Sequence, residues 1–457
     1  MVVRDGRVEE TVEEYPTDQP AHRSAIVVDQ SSSVRRSQKY VAEVQGPENI
    51  QQLIPKTRPV PSTLSRRTAL QTLGALSFAT AGCLSNDERV RKKPPGSPPL
   101  NPRGRWPARR FDAGNTGWNP DGEGLRDGRT YWRLNAGGPA SVARGTLFNT
   151  FGRNRESIAL TYRDPKTASV EKRMDLVRSS VNPPPVVADD HVFVSTYASV
   201  FCFDLTSGEQ VWREPEMDGT SRPTVSGERV LVTSGGGSHD TTLLSFDTGS
   251  GEELWRYDIG RASASTPAVA DGRVYACSEG GLLAVDRATG EEVFVVPEVA
   301  SFRTDPVVDG GAVFAIDDNF AEEPSELVAL DATEGTERWR VPVDTRNPPV
   351  VTDDAVYAAV QNRTAALDRA DGSVKTWSTP QANPVGLVGN VLYATRRGSL
   401  YAFDAANELA NLWSITTEDV RIQDTEGRRV DHVTPVDNAV YVAARDAFYG
   451  VGPSDGS

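Results

Sequence analysis

The groups in this sequence that could do chemistry are few and scattered. Asp317-Asp318-Asn319, followed closely by Glu322 and Glu323, concentrates oxygen ligands of the kind a calcium ion takes. A solvated acidic hairpin accounts for the same residues and is the preferred reading. Gly235-Gly236-Gly237-Ser238-His239-Asp240 could cradle an anion with its backbone N–H groups. It lacks the strand-to-helix setting of a phosphate loop, so a flexible hairpin is preferred there too. The three cysteines, Cys83, Cys202 and Cys277, make no disulfide framework. Cys202 and Cys277 fall in apolar strand patterns with no histidine close in sequence to activate them, and read as buried, inert thiols. The four histidines, His22, His191, His239 and His432, show no zinc spacing. No catalytic residue, cofactor or confident metal site is expected.

The elements that position these groups emerge from a repeat. Its first signature is a Pro followed by small or β-branched residues, a turn, and a second apolar strand. It reads Pro185-Val186-Val187 with Val192-Phe193-Val194, and recurs from Pro223, Pro267, Pro306, Pro349, Pro384 and Pro435, with a weaker first copy at Pro139. Its second signature is apolar-Asp-x-x-x-Gly-x-x-x-Trp. It runs from Asp204 through Gly208 to Trp212, and from Asp247 through Gly251 to Trp255. Asp331, Gly335 and Trp339 repeat it. Phe294 takes the Trp place in the copy at Asp286 and Gly290. Asp368-Gly372-Trp377 carries one extra residue, Asp404 to Trp413 lacks the Gly, and a degraded copy lies near Asp164. Asp opens a hairpin by accepting backbone N–H groups and Gly supplies positive φ. The Trp on the next strand can wedge between neighbouring sheets. Each unit thus holds four strands, at a spacing suited to propeller blades.

Eight copies predict an all-β, eight-bladed propeller of four-stranded antiparallel blades. The last unit lacks its Trp-bearing strand, and a spare one, Tyr131-Trp132-Arg133-Leu134, stands before the first. The N-terminal strand is therefore expected to close the last blade, placing Trp132 in the same sheet as Tyr441. The repeat resembles the PQQ-like β-propeller family, which includes quinoprotein alcohol dehydrogenases and the assembly lipoprotein BamB. The leader from Trp106-Pro107 to Asp112-Ala113-Gly114-Asn115-Thr116-Gly117 resembles the opening motif of small secreted members. The resemblance covers residues 105–452. In the dehydrogenases it implies a quinone stacked between a Trp and a vicinal Cys-Cys disulfide, with calcium held by Glu, Asn and Asp. Here Cys202 and Cys277 stand in separate units and no Cys-Cys pair exists, so neither quinone nor dehydrogenase activity is expected.

The segment before the propeller divides into three. Residues 1–64 show no sustained periodicity and read as a disordered extension. Residues 65–83 run from Ser65-Arg66-Arg67 through a short apolar stretch to Thr80-Ala81-Gly82-Cys83. They resemble a twin-arginine export signal ending in a lipobox, with Cys83 as the lipidated residue. Such a signal belongs at an N-terminus, so translation is expected to begin downstream, at a codon such as that of Val60 or Leu64. Residues 84–104 are a Pro-rich spacer.

Composition narrows the partners. The formal charge of -14 excludes the basic face of a nucleic-acid binder. Of 49 basic residues only seven are Lys. This acidic, Lys-poor balance resembles haloarchaeal proteins and also fits a high-GC genome. The expectation is an exported scaffold, at the outer face of the cytoplasmic membrane through a lipid on Cys83, or secreted. It binds a protein or an extracellular ligand at one propeller face. A quinoprotein dehydrogenase and a cytoplasmic scaffold are the alternatives.

Overall fold

The computed structural model describes residues 100–454, apart from 135–136, 155–156, 177–183, 216, 237–238, 261, 302, 319–323, 346, 418–429 and 445–446. It also describes a hairpin pairing Val3–Arg4 with Arg7–Val8. The export-signal residues Arg66 and Arg67, Cys83, and most of the extension and spacer lie outside the described residues. So do Asn319, Glu322 and Glu323.

Eight four-stranded antiparallel sheets follow one another along the chain, and no helix occurs among the described residues. Blades one to six start with a short inner strand just after a repeat proline, such as Val186–Ala188, Ala268–Ala270 or Val307–Asp309, whereas the longer inner strands of blades seven and eight, Asn383–Val388 and Val430–Val436, contain it. Proline suits this place because its missing N–H falls at the start of the strand. The second and third strands are buried on both faces, as in blade four, where Tyr275, Cys277, Leu282 and Ala284 are solvent-free. The fourth strand alternates exposed and buried residues along the outer edge, as in Gln210–Glu214.

The last blade is closed as expected. Arg129–Leu134 pairs with Ala447–Gly452, setting Trp132 opposite Gly450, and the Trp132 and Tyr441 rings lie 6.0 Å apart. This pairing ties residues more than 300 positions apart and leaves no open seam between the last blade and the first.

The Asp–Gly turn does what its residue types suggest. Asp204 Oδ1 accepts the N–H groups of Thr206 (3.0 Å) and Ser207 (2.6 Å), and Gly208 has φ 74°. Gly251 has a second role. A Cβ there would stand 2.7 Å from the Trp212 ring of the preceding blade, so only glycine lets the turn lie on the indole. Trp212 Nε1 donates to Thr248 O in that same turn at 2.8 Å. Trp255 and Trp339 repeat the arrangement on Arg287 O and Arg369 O, both at 2.9 Å. Each indole therefore buries its apolar face and satisfies its one polar atom across a blade boundary.

Trp377 departs from this pattern, and the extra residue before it is the cause. Thr376, not Trp377, pairs with Ala366, the site equivalent to the partner of Trp212 in blade two. One residue of slip turns a strand side chain to the other face. Trp377 accordingly packs back on the cluster between blades five and six. Trp413 of blade seven docks on the segment that leads into the closing strand of blade eight: its Nε1 donates to Leu125 O at 2.7 Å, and it packs beside Gly128.

The leader forms a separate layer. From Arg103 it crosses the ring and exchanges main-chain hydrogen bonds with Asp437 in blade eight, Val142 in blade one and Val187 in blade two. It goes on to Val269, Val308, Val351 and Leu387 in blades four to seven. Trp118–Asn119 then adds a parallel strand beside the inner strand of blade seven. The contacted residues lie at or beside the C-terminal ends of the inner strands, so the leader spans one mouth of the central channel. Packing onto the ring begins before residue 105: Leu100 is buried, and a Cβ on Gly452 would press against it.

Candidate functional site

Blade three receives no main-chain bond from the leader among the described residues. Opposite it, Ala108 to Asn115 forms a tight loop held by Phe111 N to Ala108 O (3.4 Å) and Gly117 N to Arg110 O (2.8 Å). Phe111 at φ 75° and Asn115 at φ 60° hold left-handed conformations. An aromatic residue there is strained and persists only because its surroundings fix it. Its ring rests on the buried Trp106, 5.3 Å away.

The loop directs two arginines into the channel. Arg110 is almost fully buried and donates to Asn115 O at 3.2 Å and to Pro349 O. Burial lowers its guanidinium to about 10. Arg109 donates from Nη1 to Asp305 Oδ2 at 3.3 Å, and Arg222 donates to the same carboxylate oxygen. Thr266 N donates to its other oxygen at 3.0 Å. Burial works to raise the Asp305 carboxyl, but Arg222 and Arg109 outweigh it and hold it below the usual range. Arg222 next to Arg109, reinforced by burial, lowers Arg109 to about 9. His432 lies on the same channel wall, with Nε2 3.1 Å from Ala140 O, so the neutral ring carries its proton on that nitrogen. Burial first, then the charge of Arg109, lowers it to about 3.

Two cavities flank Arg109. One, of about 230 Å³, lies between the leader and the inner strands of blades two and three, walled by Phe111, Val186 and Val225 with Arg222 and Asp305 at its polar end. The other, of about 410 Å³, reaches Asn383, Arg397, Asp431 and His432 in blades seven and eight. Together they gather Arg105, Arg109, Arg110, Arg222 and Arg397 against Asp112, Asp305 and Asp431. This is a locally basic channel in an acidic chain.

Arg109, Arg110 and Asp112 lie within the leader Trp106–Gly117, but no motif picks out Arg222, Asp305 or His432. Yet Arg222, Thr266, Asp305, Pro348 and Asn383 all occupy one register, the position just before the repeat proline. The proline fixes the strand start, and the residue before it lines the channel. The signal was a constant frame around a changing residue.

The residues singled out in sequence lie elsewhere. Asp317 ends the second strand of blade five and stands 3.7 Å from Arg340. Burial raises its carboxyl. Asp318 is buried, accepts from Ser325 at 3.3 Å and lies 4.0 Å from Arg303. Among the described residues no group of three His, Cys, Asp or Glu could hold a metal ion. Gly235 and Asp240 lie in the second and third strands of blade three, near the turn that joins them. Cys202 and Cys277 are solvent-free and unpaired. Burial, then Asp204, pushes Cys202 up to about 12, and burial puts Cys277 higher still, so both stay protonated and unreactive.

These residues do not match the quinone-holding set that the dehydrogenase resemblance implies. No Cys-Cys pair exists, neither cavity is walled by a tryptophan, and the leader arginines fill part of the channel.

Comparison with known proteins agrees with the fold. The serine/threonine-protein kinase AfsK of Streptomyces griseus is 30% identical over 163 residues, covering 32% of this chain and 19% of the kinase. Outer membrane protein assembly factor BamB of Yersinia pestis is 26% identical over 250 residues, covering 50% of this chain and 60% of BamB. The chain thus spans three fifths or less of these relatives' lengths. A solved europium-containing methanol dehydrogenase superposes with a TM-score of 0.55 at 11% identity, over 76% of this chain and 98% of the enzyme, a likeness of fold alone. The family model described as outer membrane protein assembly factor BamB matches residues 123–341 and 319–444, from the closing strand to the second strand of the last blade, and the chain belongs to this PQQ-like β-propeller family.

Proposed function

We propose that this chain is an exported, lipid-anchored binding scaffold that engages a protein or extracellular ligand at one propeller face. Arg66 and Arg67 direct export, Cys83 carries the lipid, and the Pro-rich spacer holds the ring off the outer face of the membrane. The acidic, Lys-poor surface suits a salt-rich exterior. One observation carries the binding reading. The leader bonds to seven of the eight blades across one mouth, so the opposite mouth is the face where the central channel and loops from every blade are presented together. A family model named for an assembly factor supports a role in binding rather than turnover.

The test is affinity capture from membranes with the full chain, beside fractionation of a Cys83→Ser variant. Capture of a specific partner, and release of the variant from the membrane, are expected. A chain that retains no partner and fractionates identically with or without Cys83 refutes the reading. The methanol dehydrogenase likeness gives a second reading, a quinoprotein dehydrogenase. Adding pyrroloquinoline quinone and calcium and following dye reduction decides it, and no reduction is expected.

A further inference from the structure

We propose that Arg109 and Arg222 form a binding site for a small organic carboxylate, whose acid group sits on the two guanidiniums and whose apolar part packs on Phe111. The inference goes beyond the binding reading above, because its site lies beside the leader and not at the open mouth.

Three observations converge. Among the described residues the leader bonds to every blade but the third, and the 230 Å³ cavity lies at that gap. Two guanidiniums share the single carboxylate of Asp305, and one bond from each is accounted for among the described residues. Their side chains keep 37% and 27% of their surface exposed, and both line the cavity. A planar guanidinium fork matches a carboxylate, with two charge-assisted bonds possible per arginine.

Charge points the same way. Five guanidiniums against three carboxylates surround the two cavities, although the chain as a whole is at -14. A bound anion relieves the repulsion that lowers Arg109. The lining of this cavity also includes Val186, Val225 and Phe111, apolar side chains that favour an organic acid over a bare inorganic ion. Phe111 bears conformational strain to stand there, as residues at ligand clamps commonly do.

The probe is benzoate, titrated calorimetrically into the full chain, with benzyl alcohol as the uncharged shape match and inorganic phosphate as the bare anion. Benzoate is expected to saturate one site, with benzyl alcohol and phosphate each weaker by about tenfold or more. Arg222→Gln should weaken benzoate about tenfold or more and leave benzyl alcohol unchanged, while Arg222→Lys should fall between. Circular dichroism confirms that the variants fold, and Arg109→Gln provides the second arm. Absence of saturable benzoate binding, equal binding by phosphate, or unchanged affinity in both Gln variants overturns the assignment. Membrane partner capture by a chain that ignores benzoate removes this inference and leaves the scaffold reading standing. Benzoate binding without a captured partner does the reverse.

Discussion

The outer rim and the inner rim of this propeller obey different rules. At the outer rim the same solution recurs in blades two, three and five. An indole lies on the next blade's turn glycine and donates to its carbonyl, as at Trp212, Trp255 and Trp339. At the inner rim nothing recurs except position. The residue before the repeat proline is Arg222 in one blade, Thr266 in the next and Asp305 in the one after. Repetition marks an interaction that holds neighbouring blades together wherever it occurs. Variation at a fixed register marks the place where the ring is free to specialise.

The sharpest way to break that comparison is at the outer rim. Trp212→Ala removes a buried indole and its hydrogen bond at a blade boundary, and is expected to cost about 3–5 kcal/mol in chemical denaturation. Trp377→Ala, at a Trp that the one-residue slip has turned away from its dock, should cost about 1 kcal/mol. Equal losses at the two sites would mean that the docking geometry is not what stabilises the stack.

A smaller effect is expected where the leader meets the inner rim. A Cβ on Gly114 would stand 2.4 Å from Val308 O, a backbone atom that cannot move cheaply. Gly114→Ala should therefore loosen the leader at a cost of about 1–3 kcal/mol and speed proteolysis within residues 103–119, leaving the blades intact. A variant as resistant as the wild type would mean that the leader is not held by its main-chain ladder.

The mildest test uses acidity. His432 titrates near 3 in the folded protein, against 6.5 for a free imidazole. The unfolded chain therefore binds this proton more readily. The stabilising contribution is full above about pH 6.5 and is lost as pH falls from there towards 3. Urea midpoints for wild type and His432→Gln should converge as pH drops from 7 to 4, the wild type losing on the order of 2 kcal/mol more. Parallel curves would show that the ring is not buried neutral beside Arg109.

Much of the outer rim is legible in the amino-acid sequence. Asp, Gly and Trp at fixed spacing identify a hairpin and its wedge, because those requirements are local: an acceptor for turn N–H groups, positive φ, and a large apolar plate. The closing strand is legible from the count of strands per unit, since Trp132 fills the place that the last unit lacks. The slip at Trp377 is visible as one added residue, but its consequence depends on strand pairing. The channel site is not legible. Arg109, Arg222, Asp305 and His432 are spread over more than 300 residues and share no motif.

The chain's own residue order thus dictates the blade, the number of blades and their closure, because each rests on contacts between residues near in the chain or equivalent in the repeat. Three-dimensional packing alone settles that the leader crosses one mouth, makes no main-chain bond to blade three among the described residues, and sets Arg109 beside Arg222. That arrangement is a sum of long-range packing choices. Buried charge is positioned by whatever surfaces the ring brings together, not by the spacing of the charges along the chain.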